Sequence, residues 1–454
     1  MTTAIVPITV TKSKLTNRGY TIHKDELDSK ALYKLKKDLL VTPFVPDEYK
    51  KDASAYPVYL ESPTKLYLPK FYGIATFGPP VKYNLHDGHD INLEFNGNLR
   101  PLQLEVIETY KKTCTEHYGG GTICLRAGGG KTVVALKLIC ELKKKTLVVV
   151  NKEFLLNQWM ERIKTFIPEA NIGKIQQSVI DITNKDIVIA MLHSLSMKQY
   201  DNEQFNSFGL TIVDECHHIS SEIFSRALPK ISSKYTVGLS ATPDRKDGLS
   251  KVFYWYLGPL IYKNKKNDTI NLVNVQVIKY KNEDDEKYSR VEINYSGSLS
   301  YAKMINNICG CLDRTKVGIN LLIDILSNEP TRKILILSER REHLKTMYKL
   351  LEEYEYTVGY YVGGMKQKDL DVSETKQIIL GTFSMSSEAL DIPALNTLLL
   401  MSPKSDIEQT VGRILRKKHD VVPLIIDIVD IFGPFQRQYY KRYQYYKKNK
   451  YIFI

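Results

Sequence analysis

Thr122-Ile123-Cys124-Leu125-Arg126-Ala127-Gly128-Gly129-Gly130-Lys131-Thr132 runs from an apolar start through three glycines into a lysine and a threonine. The residues that follow, VVALKLICELKKK, place apolar side chains at helical spacing. Strand, glycine turn and helix in that order form a cradle for phosphate. The N–H groups of the turn curl around the anion, and the helix N-terminus adds partial positive charge. Lys131 is expected on the β and γ phosphates, and Thr132 is expected to place its hydroxyl on Mg²⁺. Leu125 stands where the general pattern has its first glycine. Taken alone, the segment also fits a glycine-rich turn that caps a helix. The strand before it and the helix after it favour a nucleotide site made by Gly128, Gly129, Gly130, Lys131 and Thr132, with ATP and Mg²⁺ as its occupants.

Outward from this loop the chain alternates. TLVVV (146–150), DIVIA (186–190), LTIVD (210–214) and YTVGLS (235–240) are apolar runs separated by helical segments such as FLLNQWMERIKTF (154–166). Short β-branched runs between helices indicate a parallel sheet wrapped in helices. Residues 263 to 300 are polar and charged and read as a linker or lobe-edge insertion. A second series then follows, KILILS, YTVGYYV, QIILGTF, NTLLLM and VPLIIDIV. The fold class is α/β, with two tandem parallel-sheet lobes and a small N-terminal accessory domain. The expected boundaries are 1–95 for the accessory domain, 96–265 for the first lobe, 266–300 for the linker and 301–454 for the second lobe with a basic, tyrosine-rich C-terminal tail.

Asp214-Glu215-Cys216-His217 ends the run LTIV. A carboxylate at the tip of a buried strand is expensive unless it has a task. Asp214 is placed to hold Mg²⁺ through water, and Glu215 to orient or deprotonate an attacking water. Phosphoryl transfer requires little beyond such placement and charge neutralisation. His217 and His218 are a weak metal pair, so His217 is read as coupling the nucleotide site to the next motif, Ser240-Ala241-Thr242. Further on, Gln409-Thr-Val-Gly412-Arg413-Ile-Leu-Arg416 reads as a helix. Arg413 and Arg416, three apart, would share a face and reach the γ-phosphate from the second lobe. A solvated basic face, extended by Lys417 and Lys418, is the alternative.

The 454 residues are 43% hydrophobic and 25% charged, as in soluble globular proteins, and no stretch is long and apolar enough to span a bilayer. The opening MTTAIVPITVTKSK lacks the layout of a secretory signal. Cys114, Cys124, Cys140, Cys216, Cys309 and Cys311 have no zinc-site spacing and read as reduced thiols in an intracellular compartment. The net charge of +13 favours a polyanionic partner, although solubility alone also accounts for it. Residues 436–451, QRQYYKRYQYYKKNKY, hold six Lys/Arg and no acidic residue. They suit stacking plus phosphate contact, or equally a terminal helix whose tyrosines pack while its lysines face water.

The ordered set resembles the superfamily 2 helicases over roughly residues 98 to 420. It is most similar to XPB-type DNA helicases, phage recombination-repair helicases and the transcript-release helicases of poxviruses and other large DNA viruses. LRPLQ resembles the family segment in which a glutamine, here Gln103, reads adenine. Leu125 before GGGKT matches the XPB-like form. VNKEFLLNQW, with Asn151, Gln158 and Trp159, and LSATPDRKDG, with Arg245 and Asp247, look like the following motifs. GTFSMSSEALDIPALNTLLL resembles motif V, where Asp391 stands at the position that links ATP state to the nucleic-acid track. Ser386-Ser387-Glu388 replaces a glycine-containing turn of many relatives. Gln409, Gly412, Arg413 and Arg416 fit motif VI. KLYLPKFYGI (65–74) is similar to the N-terminal part of the large-DNA-virus members.

The resemblance implies RecA-like lobes and a strand held by backbone and hydroxyl contacts. Asn151, Lys152, Ser194, Gly381 and Thr382 are the expected contacts, independent of base sequence and sensitive to salt. It further implies an ATP-dependent DNA translocase, 3′ to 5′, in viral transcript release or in recombination and repair. Transcription or virion proteins would be partners, and the host cytoplasm and virion its locations. An RNA helicase is the alternative. A catalytically dead scaffold is disfavoured by the intact Lys131, Thr132, Asp214, Glu215, Arg413 and Arg416.

Overall fold

A computed structural model describes residues 10–42, 55–126, 128–200, 202–217, 226–241, 249–264, 272–295, 297–388, 390 and 392–454. The chain divides into two compact units, Met1–Lys265 and Lys266–Ile454.

The first unit opens with β1 (Lys14–Thr16), β2 (Gly19–His23), α1 (Ser29–Asp38), β3 (Leu40–Val41), β4 (Tyr56–Pro57), β5 (Leu60–Glu61), β6 (Lys65–Leu68), α2 (Lys70–Phe77) and β7 (Lys82–Tyr83). Five of these strands form a sheet in the order β5-β6-β2-β1-β7. The main sheet follows, from β8 (Gly120–Cys124), β9 (Thr146–Val150), β10 (Ile172–Gln176), β11 (Val179–Ile180), β12 (Ile187–Met191), β13 (Leu210–Val213), β14 (Tyr235–Ser240) and β15 (Leu260–Lys263). Its helices are α3 (Pro101–Glu116), α4 (Lys131–Leu142), α5 (Glu153–Phe166), α6 (Leu192–Met197) and α7 (Ser250–Leu257). The strand order is β11-β10-β12-β9-β13-β14-β8-β15, and every pairing but β10–β11 is parallel. β8, β9 and β13 are buried along their whole length because both faces of the sheet are covered. Val134 and Leu138 of α4 with Trp159 and Ile163 of α5 pack one face, and Phe205, Phe208 and Phe253 pack the other.

The separate module expected over residues 1–95 has its own sheet but shares a core with the first lobe. Leu249 and Val252 of the lobe sit in one apolar cluster with Tyr20, Leu66 and Phe77, and the Tyr256 hydroxyl donates to the Val58 carbonyl at 3.0 Å.

The second unit contains β16 (Asn274–Tyr280), α8 (Tyr301–Gly310), α9 (Leu312–Asn328), β17 (Ile334–Ser338), α10 (Arg341–Leu351), β18 (Val358–Tyr361), α11 (Gln367–Thr375), β19 (Ile378–Thr382), α12 (Phe383–Glu388), β20 (Thr397–Leu400), α13 (Glu408–Val411), β21 (Leu424–Asp430), α14 (Gly433–Lys448) and β22 (Ile452–Phe453). Its seven strands form an all-parallel sheet in the order β18-β19-β17-β20-β21-β16-β22.

The segment expected over 266–300 as a linker or lobe-edge insertion contains β16, which pairs with β21 along seven residues and lies beside the edge strand β22 of the second sheet. The segment after β16 is also fastened: the Tyr288 hydroxyl donates to Asp430 Oδ1 at 2.7 Å, and Asp430 forms a fully buried ion pair with Arg314. Of the two readings left open for the C-terminal segment, packing is what the structure shows: it forms the helix α14. Arg442 of α14 donates from Nε and Nη2 to the two oxygens of Asp427 at 2.8 and 2.9 Å, and the Tyr446 hydroxyl donates to the same carboxylate at 2.9 Å. Breaking such a buried pair by removing one partner costs about 3–5 kcal/mol.

Candidate nucleotide and nucleic-acid site

Three neighbouring strands of the first unit, β13, β14 and β8, bring the predicted chemistry to one edge. Their C-terminal ends carry Asp214, Ser240 and the phosphate loop respectively, and Ser240 stands in register with Cys124. In open α/β sheets ligands bind beyond the carboxyl ends of the strands.

Two glycines of the phosphate loop have backbone conformations that only glycine adopts readily. Gly128 has φ +76° and Gly130 φ +82°. A Cβ on Gly130 would lie 2.1 Å from Gln103 Nε2. Leu125 is fully buried in the core, which explains why an apolar residue serves where the general pattern has glycine. Gln103 braces this loop from the start of α3. Its Oε1 accepts from the Arg100 N–H at 2.8 Å, its amide abuts Gly130, and the Arg100 guanidinium donates to the Gly128 carbonyl at 3.3 Å. Lys131 and Thr132 begin α4.

Lys131 Nζ and Glu215 Oε1 form a hydrogen-bonded ion pair. Glu215 has φ +47°, a left-handed conformation unusual for glutamate, of the kind that collects at functional sites. Asp214 is buried. Its Oδ2 accepts from the Trp159 indole N–H at 2.9 Å and its Oδ1 from the Glu215 N–H at 2.9 Å. Burial pushes the Asp214 carboxyl above its usual range, opposed by the Lys131 charge. His217 Nδ1 lies 3.2 Å from Ser240 Oγ and 3.4 Å from Glu215 Oε2. The histidine expected to couple the acidic motif to the Ser-Ala-Thr motif therefore touches both. Thr242, Arg245, Asp247, His218 and Asp391 lie outside the described residues.

The donors fit a nucleotide with a metal held by its phosphates. Among the described residues no group of three or more His, Cys, Asp or Glu side chains is placed to hold an ion. Mg²⁺ characteristically uses one or two protein ligands together with substrate phosphates and water. Thr132 and Asp214 are the residues available for that role.

Asn151 and Lys152 form the turn that starts α5, with Lys152 as its N-cap. Asn151 Oδ1 is buried without a hydrogen bond among the described residues. Ser194 is buried, and its hydroxyl accepts from the Gln177 N–H at 2.9 Å, so that oxygen is already engaged with the chain. In the second unit Gly381 and Thr382 end β19, and Thr382 Oγ1 lies 3.4 Å from Ser384 Oγ.

The helix expected over 409–416 is shorter than anticipated. α13 ends at Val411, and Arg413 and Arg416 follow in turns. Arg413 is turned inward, buried, with Nη1 donating to the Leu390 carbonyl at 2.7 Å. Beyond Val411 the backbone N–H groups of Arg413 and Ile414 bond to the Thr410 and Val411 carbonyls, three residues back, and the two arginines do not share a face of an α-helix. Arg416 is half-buried, and Gln409 is half-buried on α13. Trp159 and Arg100 are the partners that the sequence reading did not assign. Trp159 was noted only as part of a motif, and no spacing rule links either residue to the groups it touches.

Residues 96–245 match the family described as the res subunit of type III restriction enzymes, and residues 318–418 match the helicase conserved C-terminal domain. The chain is 36% identical over 451 residues to a protein of Acanthamoeba polyphaga mimivirus named as an ATP-dependent RNA helicase, covering 97% of this chain and 86% of that one. A protein of African swine fever virus (isolate Pig/Kenya/KEN-50/1950) with the same designation is 28% identical over 393 residues, 77% of this chain and 72% of its own. The DNA 3′–5′ translocase of the XPB type from Sulfurisphaera tokodaii is 26% identical over 377 residues, 73% of this chain and 81% of that one. The chain belongs to the superfamily 2 helicases and is a nucleic-acid-dependent ATPase. Within them it groups with helicases of large DNA viruses.

Proposed function

We propose that this chain is an ATP-dependent DNA helicase or translocase that couples hydrolysis to movement on nucleic acid during viral transcript release or recombination and repair, in the host cytoplasm and virion. The observation that supports it most is the meeting of Lys131, Asp214, Glu215, His217 and Ser240 at the ends of adjacent strands.

In this reading Lys131 leaves Glu215 for the β and γ phosphates, and Glu215 is freed to orient the attacking water and accept its proton. The water oxygen bonds to the γ-phosphorus, the bond to the β–γ bridging oxygen breaks, and ADP leaves with that electron pair. Mg²⁺, when bound, would neutralise the charge that develops on the phosphates, and Thr132 and Asp214 would hold it. Arg416, with Arg413 as its anchor in motif V, approaches the γ-phosphate from the second unit. Arginines so placed are worth roughly 10³- to 10⁵-fold in rate. His217 reports the state of the phosphate to Ser240. Asn151, Lys152, Gly381 and Thr382 grip the strand by its phosphates.

Lys131→Ala and Glu215→Gln test the site. Each is expected to lower polynucleotide-stimulated ATP turnover by about 100-fold or more. Wild-type turnover in either variant would refute the assignment. The second reading is an RNA helicase, favoured by the names of the mimivirus and African swine fever virus relatives. Matched DNA and RNA strands compared as activators of ATPase decide between them.

A further inference from the structure

We infer that Trp159 is a positioning residue for hydrolysis, whose indole N–H sets the orientation of the Asp214 carboxylate toward its metal. The inference rests on the nucleotide-site reading above and adds a residue to it.

Trp159 lies on α5, fully buried, packed in the core beneath β9 and β13 with Val148, Val150 and Ile212. Space alone does not explain a tryptophan here, since leucine or phenylalanine also fill such cores. An indole carries one donor and no acceptor, and burying that donor is unfavourable unless an acceptor meets it. The acceptor is Asp214 Oδ2, at 2.9 Å. The other oxygen, Oδ1, receives the Glu215 N–H at 2.9 Å. The two donors come from different elements, α5 and the turn after β13, so together they fix both the rotation and the tilt of the carboxylate plane. Each oxygen keeps a further lone pair, and a carboxylate accepts about four hydrogen bonds in all. The free lone pairs therefore have set directions, beside the phosphate loop that starts α4. A metal ligand is commonly oriented by such a partner, and losing it typically costs about 10- to 100-fold in metal affinity or activity.

The test uses the full chain with two replacements. One is Trp159→Phe. The other places 3-benzothienylalanine, which has sulfur in place of the indole N–H and nearly the same volume, at position 159 in a Trp255→Phe background. Melting temperatures report folding. Calorimetry measures the affinity for a non-hydrolysable ATP analogue with Mg²⁺ and with a chelator. The expected result is a metal-dependent gain in nucleotide affinity about tenfold smaller in both variants, with metal-free affinity unchanged. Polynucleotide-stimulated kcat should fall by a similar factor. A benzothienyl variant that keeps the wild-type metal-dependent gain overturns the role of Trp159 and leaves the nucleotide site standing. A wild-type chain that gains no affinity from Mg²⁺ removes both.

Discussion

Gly130 shows how narrow the tolerance of the site is. Its φ of +82° strains any residue with a Cβ, and an alanine Cβ, 2.1 Å from Gln103 Nε2, would push that side chain away from the loop it braces. Gly130→Ala is expected to weaken nucleotide binding at least tenfold, measured by fluorescent-nucleotide titration; unchanged affinity would show that the loop does not cradle phosphate as drawn. Lys70 illustrates the opposite case, a charge without a catalytic task. It is buried at the start of α2, donates to the Lys234 carbonyl at 2.9 Å, and its ammonium is pushed down to about 7 by burial. The unfolded chain therefore holds a proton that the folded chain lacks between about pH 7 and the ordinary value of 10.5. Stability from this group rises with pH across that window, and the burial penalty is present in full below it. Lys70→Met should flatten the wild-type rise in unfolding free energy between those values. An identical pH profile in the variant would contradict the assignment.

At the scale of elements, most strands were legible because parallel strands covered on both faces read as continuous apolar runs, as TLVVV and ILILS do. β16 was not, because only Val275 among its residues is buried and its place is set by pairing with β21 and β22, far along the chain. The phosphate loop, the acidic strand end and the His217–Ser240 contact were legible from order and spacing. The inward placement of Arg413 was not, because its acceptor is the Leu390 carbonyl, far along the chain. Charge and tyrosine content left α14 undecided between packing and binding. Its inner face is anchored through Arg442 and Tyr446, while Arg437, Lys441 and Lys448 lie exposed about one to two turns apart, none with an ion-pair partner within 4.0 Å among the described residues. If this stripe holds phosphates, replacing all three by glutamine should lower the slope of log affinity against log salt by about 2 to 3 for duplex DNA. An unchanged slope leaves the stripe as a solvated face.

For the whole molecule, the proposed function divides the reagents between two units. The first holds the phosphate loop, the acidic pair and the coupling histidine. The second holds Arg413 and Arg416, and under the proposed function hydrolysis requires both units. This division makes Arg416 the decisive residue. Single-turnover hydrolysis of ATP at saturating polynucleotide, with nucleotide binding measured in parallel, should show that Arg416→Ala binds nucleotide as the wild type does but turns it over roughly 10³-fold or more slowly. Turnover at the wild-type rate with nucleotide bound would contradict a site completed from the second unit.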